Sequence, residues 1–393
     1  LYRVILRAKR NITGKSEKSE AEERIVSGKT WDKFCDTLKS SGSSVMGMGS
    51  PQDPFTQAEG YRYLTRLLRA GLEAFVEYND AKAPVLRRMA HETVKMGADN
   101  PDNYYQNAVI SGEYEYRIYG SRGIIPFFAI STHEGTYGDG SGLPTTGFLN
   151  TTELKTNPDG TFEVVLSCKD KSKEYLNWLP MTPKTGMVIV RQTFADREKE
   201  EIADITIERI GGDGLPSPLT AESIDRGLST ASAMVAGASV LFSKWARDFQ
   251  KHTNQLPQFD PEVSNRAGGD PDIAYYHSYW KLGPEEVLVI EAAPPACEHW
   301  NFQLNDHWME SLDYRYYRIH INKHTAHYRE DGSFRIVVAH EDPGVENWIQ
   351  TVGHERGTMC FRWVKAEAHP QPKTEVLTIK EFKRRVREEK HGV

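Results

Sequence analysis

The chain repeats itself. At a displacement of about 171 residues, short segments match in the same order. Gly97–Tyr105 (GADNPDNYY) echoes Gly268–Tyr276 (GGDPDIAYY), with a one-residue gap after the first Asp. Asp159–Phe162 echoes Asp331–Phe334 at a shift of 172, and Asn177-Trp178 echoes Asn347-Trp348 at 170. Gly186-Met187 with Arg191 echoes Gly357 and Met359 with Arg362. A fixed order at a nearly fixed shift is the mark of tandem duplication. Whatever one copy folds into, the other must fold into as well.

The copies are rich in strand and turn signals. Short alternating runs of Tyr, Phe, Ile and Val are broken by Gly, Pro, Asn-Pro and Asp-Gly, the punctuation of strands and turns. Regularly spaced short strands predict β-sandwich or jelly-roll-like sheets. The flanks have a helical period. Gln57–Tyr78 carries Tyr61, Leu64, Leu68, Leu72, Phe75 and Val76 at spacings of three to four, and Thr30 is a candidate N-cap for Trp31–Lys39. Thr220–His252 places Ile224, Leu228, Ala231, Val235, Ala238, Leu241, Phe242 and Trp245 on one face. The expected class is α+β, mainly β, with two tandem related units. Their bounds are a helical N-segment (1–96), a first β-rich repeat (97–195), a helical connector (196–267), a second β-rich repeat (268–366) and a charged tail or helix (367–393). The long helices would cover sheet faces or edges.

Composition excludes several classes. With 393 residues, 38% hydrophobic and 26% charged, the chain can bury a sizeable core. A net charge of −6 offers no basic field for nucleic acid. The longest small-and-apolar run, Ala231–Phe242, is too short to span a membrane. Four scattered cysteines (Cys35, Cys168, Cys297, Cys360) form no CxxC pair and suit reduced thiols in the cytoplasm. Leu1–Lys9 is a poor secretory signal. The glycine-rich stretch 135–142 reads as a loop between strands, not a phosphate cradle, and Ser141 lies outside any nucleophile elbow. No motif specifies a cofactor. Exposed strand edges with covering helices fit a homodimer.

Residues kept in both copies read as scaffold. Asp159-Gly160 and Asp331-Gly332 are hairpin turns. Trp178 and Trp348 are expected as core plugs, and Arg191 and Arg362 as strand residues paired to a carboxylate at a sheet edge. The Asp-Pro-Asp…Tyr-Tyr segments read as capped turns, with Asp102 and Tyr105 as candidates for lining a cleft.

The differences between copies point to function. Eight of the thirteen histidines lie between His277 and His354. At the shift of 172, His299, His307 and His320 replace Phe127, Gly135 and Phe148. In His299–Trp308 the odd positions are His299, Asn301, Gln303, Asn305 and His307, a row of neutral hydrogen-bonding groups, while the even positions are mostly core. A neighbouring set holds Tyr314, Tyr316, Arg318, His320 and Asn322. Two such strands would line a concave sheet suited to a polyhydroxylated or carboxylated small molecule or glycan. The favoured reading is a hydrolase or lyase acting on a carbohydrate or another polar, ring-bearing molecule. His299 or His320 would be general base, Tyr316 general acid, and Arg318 the partner of a carboxylate or oxyanion. Asn301, Gln303, His307, Tyr314, Asp102 and Tyr105 would bind the ligand. Paired carboxylates, Asp306 with Glu341 or Asp342, are a variant. A second reading is a zinc, iron or copper enzyme using His320, His324 and His327 with His299 and His307, although no His-x-His or His-Glu-x-x-His motif is present. A third is a non-catalytic sandwich that holds a ligand or partner.

The segments DNPDNYY, EYEYRIYGSRG, NWLPMTP and VIVRQTF resemble the first partner of two paired domain-of-unknown-function families, 1254 and 1214. WNFQL, REDGSFRIVVAHEDPG, ENWIQ and FRW resemble the second partner. The resemblance spans about 97–366 and implies a β-sandwich or jelly-roll architecture with helical additions. It implies no reaction. The second copy departs from the pattern at Asn347-Trp348-Ile349-Gln350-Thr351, where NWLPAP is the expected form, and in its histidine load.

Overall fold

The computed structural model describes residues 16–47, 49–137 and 143–391. Leu1–Lys9 and, in the glycine-rich stretch, residues 138–142 with Ser141 lie outside the described residues.

The described residues begin with three helices, α1 (Glu17–Val26), α2 (Lys29–Met46) and α3 (Pro54–Leu72), the last running into a π-helical turn at Glu73–Glu77. Asp53 caps α3 by accepting the Thr56 N–H at 2.8 Å, and Pro54 suits the first turn, whose N–H groups need no intrahelical partner. Thr30 is not the cap of α2. The helix starts one residue earlier, and the Thr30 hydroxyl bonds Asp225 of the long helix α4 (Ala221–Phe249) instead. Thr220 does cap α4, in a reciprocal capping box with Ser223. The helices share a core of Val45, Tyr63, Leu67, Phe75, Ala231, Met234 and Val235. They meet closely: a Cβ on Gly227 would lie 2.4 Å from the Phe75 carbonyl, and one on Gly71 3.2 Å from the Ala231 backbone.

Each repeat is a two-sheet sandwich. The first holds β1 (Asn103–Val109), β2 (Tyr116–Ser121), β3 (Phe127–Glu134), β4 (Thr145–Asn150), β5 (Thr161–Ser167), β6 (Trp178–Pro180), β7 (Thr185–Thr193) and β8 (Asp204–Arg209). The second holds β9 (Ile273–Lys281), β10 (Glu286–Ala292), β11 (His299–Leu304), β12 (His320–Asn322), β13 (Phe334–Ala339), β14 (Trp348–Gln350), β15 (Arg356–Val364) and β16 (Lys373–Thr378). The orders match one for one: β1-β7-β3-β4 with β9-β15-β11-β12, and β6-β5-β2-β8 with β14-β13-β10-β16. The fold is therefore α+β with two tandem, related β-rich units. Both units run past the matched sequence segments. β8 falls in the expected connector and β16 in the expected tail, which holds helix α5 (Ile379–His391).

The apolar faces fill each sandwich. Trp300, Phe302, Phe334, Phe361 and Trp363 pack in the second, with the Trp300 and Phe334 ring centroids 4.2 Å apart. The Asp-Gly turns form as expected. Gly160 and Gly332 sit at φ of 80° and 78°, and each Asp carboxylate accepts an N–H two residues on. Trp178 and Trp348 are half-buried rather than plugs. Asn177 and Asn347 do the tying: each amide bonds two backbone carbonyls of its own repeat.

Candidate functional site

The two sandwiches meet along polar faces. Hydrogen bonds fix which residues correspond across the seam. The Tyr105 hydroxyl accepts the Asn100 N–H, and the Tyr275 hydroxyl accepts the Asp270 N–H. Asp102 N–H bonds the Asn100 side chain as Asp272 N–H bonds Asp270. Asp270 is thus the counterpart of Asn100, and the gap in the sequence match falls earlier than the residue types suggest.

Arg191 and Arg362 hold the seam reciprocally. Arg191, on β7, reaches the Gly268 carbonyl of the second repeat's lead-in loop at 2.7 Å. Arg362, on β15, reaches the Ala98 carbonyl of the first repeat's loop at 2.6 Å. Their remaining bonds are equivalent too: Arg191 to Ser131 of β3, Arg362 to Gln303 and Asn301 of β11. Neither arginine stands at a sheet edge, and among the described residues neither is bridged to a carboxylate and every hydrogen-bond partner is neutral. β7 and β15 are interior strands. That corrects the reading of these residues as edge ion pairs. Burial works to weaken both cations, and the negative charge of Asp270 near Arg191 and of Asp102 near Arg362 works against that loss.

Both guanidiniums line one cavity of about 470 Å³ between the seam and α4. Tyr105 and Tyr275 lie beside them, as cross-strand partners of Arg191 and Arg362. Both hydroxyls already accept a backbone N–H, so their own protons are free to be donated. Burial pushes both phenols up, which keeps those protons on. His277 lines the cavity between the rings of Phe249 and Tyr275, at 5.5 and 5.6 Å, with its Nδ1 buried and unpartnered. Burial, helped by Arg362, pushes its imidazole down to about 3, so it stays neutral. The opposite wall is the apolar face of α4, from Met234 and Gly237 to Phe242 and Trp245. Such a chamber combines cationic and neutral donors on one side with a greasy wall on the other.

A second polar centre lies beside it. Asp102 is buried among second-repeat side chains. It accepts from Asn301 at 2.9 Å and Asn322 at 3.0 Å, and stands 3.4 Å from His299 Nε2 and 3.2 Å from His320 Nε2. Burial works to raise its carboxyl, but the contacts with His299 and His320 hold it well below the usual carboxylate range. Both histidines leave a buried Nδ1 without a partner. Asn301 links the two centres, giving its amide to Asp102 and its carbonyl oxygen to Arg362. The other copy lacks this equipment. Asp272 is half-buried, 3.4 Å from Asn150 and 3.9 Å from Lys365, and the positions of His299 and His320 are taken by Phe127 and Phe148.

The chain resembles known proteins over most of its length. The DUF1214 profile, described as a protein of unknown function, matches residues 105–195 and 286–368. A crystal structure of an uncharacterized protein from Burkholderia cenocepacia shares 44% identity over 91% of this chain and 99% of that one, with a TM-score of 0.89. The chain belongs to the DUF1214 family. A structure from Vibrio parahaemolyticus covers 81% of this DUF1214 protein and 98% of its own chain at 10% identity and a TM-score of 0.48. No curated protein matches. One profile matches both DUF1214 segments, as duplication requires, and the expected 1254 partner is not seen in the first.

The DUF1214 fold brings only part of the sequence-predicted set together. His299, Asn301 and Gln303 share one face of β11 and are buried against Ala98–Asp102 rather than lining an open cleft. β12 adds His320 opposite Gln303 and Asn322 opposite Asn301. Asp102 joins them, and Tyr105 lies in the cavity. His307 lies beyond the end of β11 and bonds Tyr279 at 3.0 Å. Tyr314, Tyr316 and Arg318 lie in the turn before β12, which is only three residues long. Tyr314 packs near Lys95, while Tyr316 is 76% exposed under Arg315. Arg318 binds the Glu346 carbonyl. His324 and His327 are exposed, His324 stacked on His299 and His327 near Glu346. Among the described residues no group of three or more His, Cys, Asp or Glu side chains could hold a metal ion. Arg191, Arg362, Tyr275 and His277 were missed as cavity residues. Their signal was present: two arginines in register with two tyrosines, in strands that alternate, once per copy.

Proposed function

We propose that the protein binds a small molecule with an anionic group and an apolar, ring-sized body in the seam cavity. The observation that carries this is a buried Arg362 and a half-buried Arg191 sharing one chamber, with neutral hydrogen-bond partners among the described residues. A buried cation without a bridging anion is costly, and a carboxylate that meets the guanidinium fork regains that cost. Tyr105, Tyr275 and His277 add neutral groups for orientation. The sequence suggests a carbohydrate or another polar, ring-bearing molecule, polyhydroxylated or carboxylated, in a cleft of the second repeat; the two guanidiniums favour the carboxylated kind, bound in the seam cavity.

A second reading is acid–base catalysis. It is favoured by one feature: Asp102 orients two imidazoles through Nε2, leaving each Nδ1 as a free base. Tyr316, exposed in its turn, is poorly placed to be their acid.

The binding proposal is tested by thermal shift against benzoate, cyclohexanecarboxylate, benzyl alcohol and glucose. The acids should raise the melting temperature of the wild type, and the neutral molecules should not. Gly237→Leu should weaken the effect, because exposed Gly237 lines the cavity and a Cβ there meets no atom within 4 Å, leaving room for a larger side chain to narrow it. Equal response to neutral sugars, or acid stabilisation that Gly237→Leu leaves undiminished, would overturn it.

A further inference from the structure

The proposal above requires one anionic group. The duplication places two receptors for it. Arg191 and Arg362 occupy equivalent interior strands, bond equivalent carbonyls of the opposite repeat, and pair across their strands with Tyr105 and Tyr275. Both arginines act electrostatically on both tyrosines, so the four groups form one patch on the cavity wall. Each guanidinium spends donors on neutral acceptors and, among the described residues, meets no carboxylate directly. Asp270 acts on Arg191 only through space, and its own carboxylate oxygen takes the Asp272 N–H. Asp102 acts on Arg362 while being bound by two histidines and two asparagines. Asp270, Asp102 and the cavity-lining Asp99 lie near the arginines, but among the described residues none of them contacts either guanidinium, so each guanidinium can still take a carboxylate directly. Exposed Arg266 also lines the cavity and adds a cation that favours entry of anions.

We infer that the ligand is a dianion, a dicarboxylate on a compact apolar frame, with one carboxylate at Arg191 and the other at Arg362. This rests on the reading of the cavity as an anion site and adds its stoichiometry of charge. The pseudo-twofold arrangement favours a molecule whose two anionic ends are alike. The apolar wall of Met234, Leu241, Phe242 and Trp245 would take its ring or short chain.

Isothermal titration of the full chain with benzoate, phthalate, isophthalate, terephthalate and adipate tests it. At least one dicarboxylate should bind tenfold or more tighter than benzoate. Arg191→Gln and Arg362→Gln should each reduce that dicarboxylate to the benzoate level, while each lowers benzoate itself only about twofold. The wild-type series alone decides the matter if a variant fails to fold. Benzoate binding as tightly as every diacid, or a diacid lost through one arginine but not the other, would overturn the dianion while leaving the anion site standing. No binding of any acid would overturn the anion site itself.

Discussion

Asp102 shows how much one residue can carry. It comes from the first repeat, but its four side-chain partners come from the second. Asp102→Asn puts an amide donor against donor amides and removes the charge that orients two imidazoles, so about 2–3 kcal/mol of stability should be lost. Its counterpart Asp272 is half-buried with looser contacts, and Asp272→Asn should cost under about 0.5 kcal/mol. Urea titration of the two variants checks this; equal costs would deny that the copies differ. Titration gives a second residue-scale prediction. His277 is held down to about 3 in the folded chain, against about 6.5 when unfolded. The unfolded state therefore takes up a proton that the native state refuses, and stability falls as pH drops through the window from 6.5 toward 3. Relative to His277→Phe, which keeps the stack on Phe249 and Tyr275, wild type should lose about 1.4 kcal/mol for each pH unit between 6 and 4. A difference constant across that range would contradict it.

The helices and strands were legible to different degrees. Period and apolar spacing placed the start of α4 to within a residue and its end three residues late, at the 3-10 turn Gln250–His252, because the apolar stripe acts locally. β11 was legible as a strand with two unlike faces, because alternation is also local. Its odd face was misread as open, since nothing in His299–Gln303 says that residues 98–102, two hundred positions away, lie against it. The turn at Tyr314–Arg318 was misread as strand because aromatic alternation also occurs in loops. Arg191 and Arg362 were read as scaffold because they recur in both copies; in a duplicated chain a residue that recurs can also be half of a paired site. At this scale the close packing of α4 gives a test. Gly227→Ala drives a methyl into the Phe75 carbonyl and should cost about 1–3 kcal/mol, read as a fall in the urea midpoint. Gly237→Leu, in the same helix, should be neutral or stabilising by up to about 1 kcal/mol, since it replaces a glycine in open surroundings. Matching losses for both would mean that α4 does not leave a chamber beneath it.

At the scale of the molecule, duplication made the site. Either sandwich alone has one arginine, one tyrosine and one lead-in loop; only their apposition encloses a cavity, and α4 roofs it. The same reciprocity ties folding together. Each repeat's loop is held by the other's arginine, and Trp308 of the second repeat sits in the helical core, bonding the Thr56 carbonyl at 2.9 Å. Calorimetry should therefore show one cooperative transition, whereas two resolved peaks would mean that the sandwiches fold apart. The divergence of Asp102 from Asp272 gives the two flanks of the seam unlike side chains. The most direct measurement is a crystal structure grown with the tightest-binding diacid. The expected result is one molecule under α4 with a carboxylate on Arg191 and the other on Arg362. Ligand density elsewhere on the protein, with both guanidiniums meeting only their present carbonyl and amide partners, would contradict the central claim.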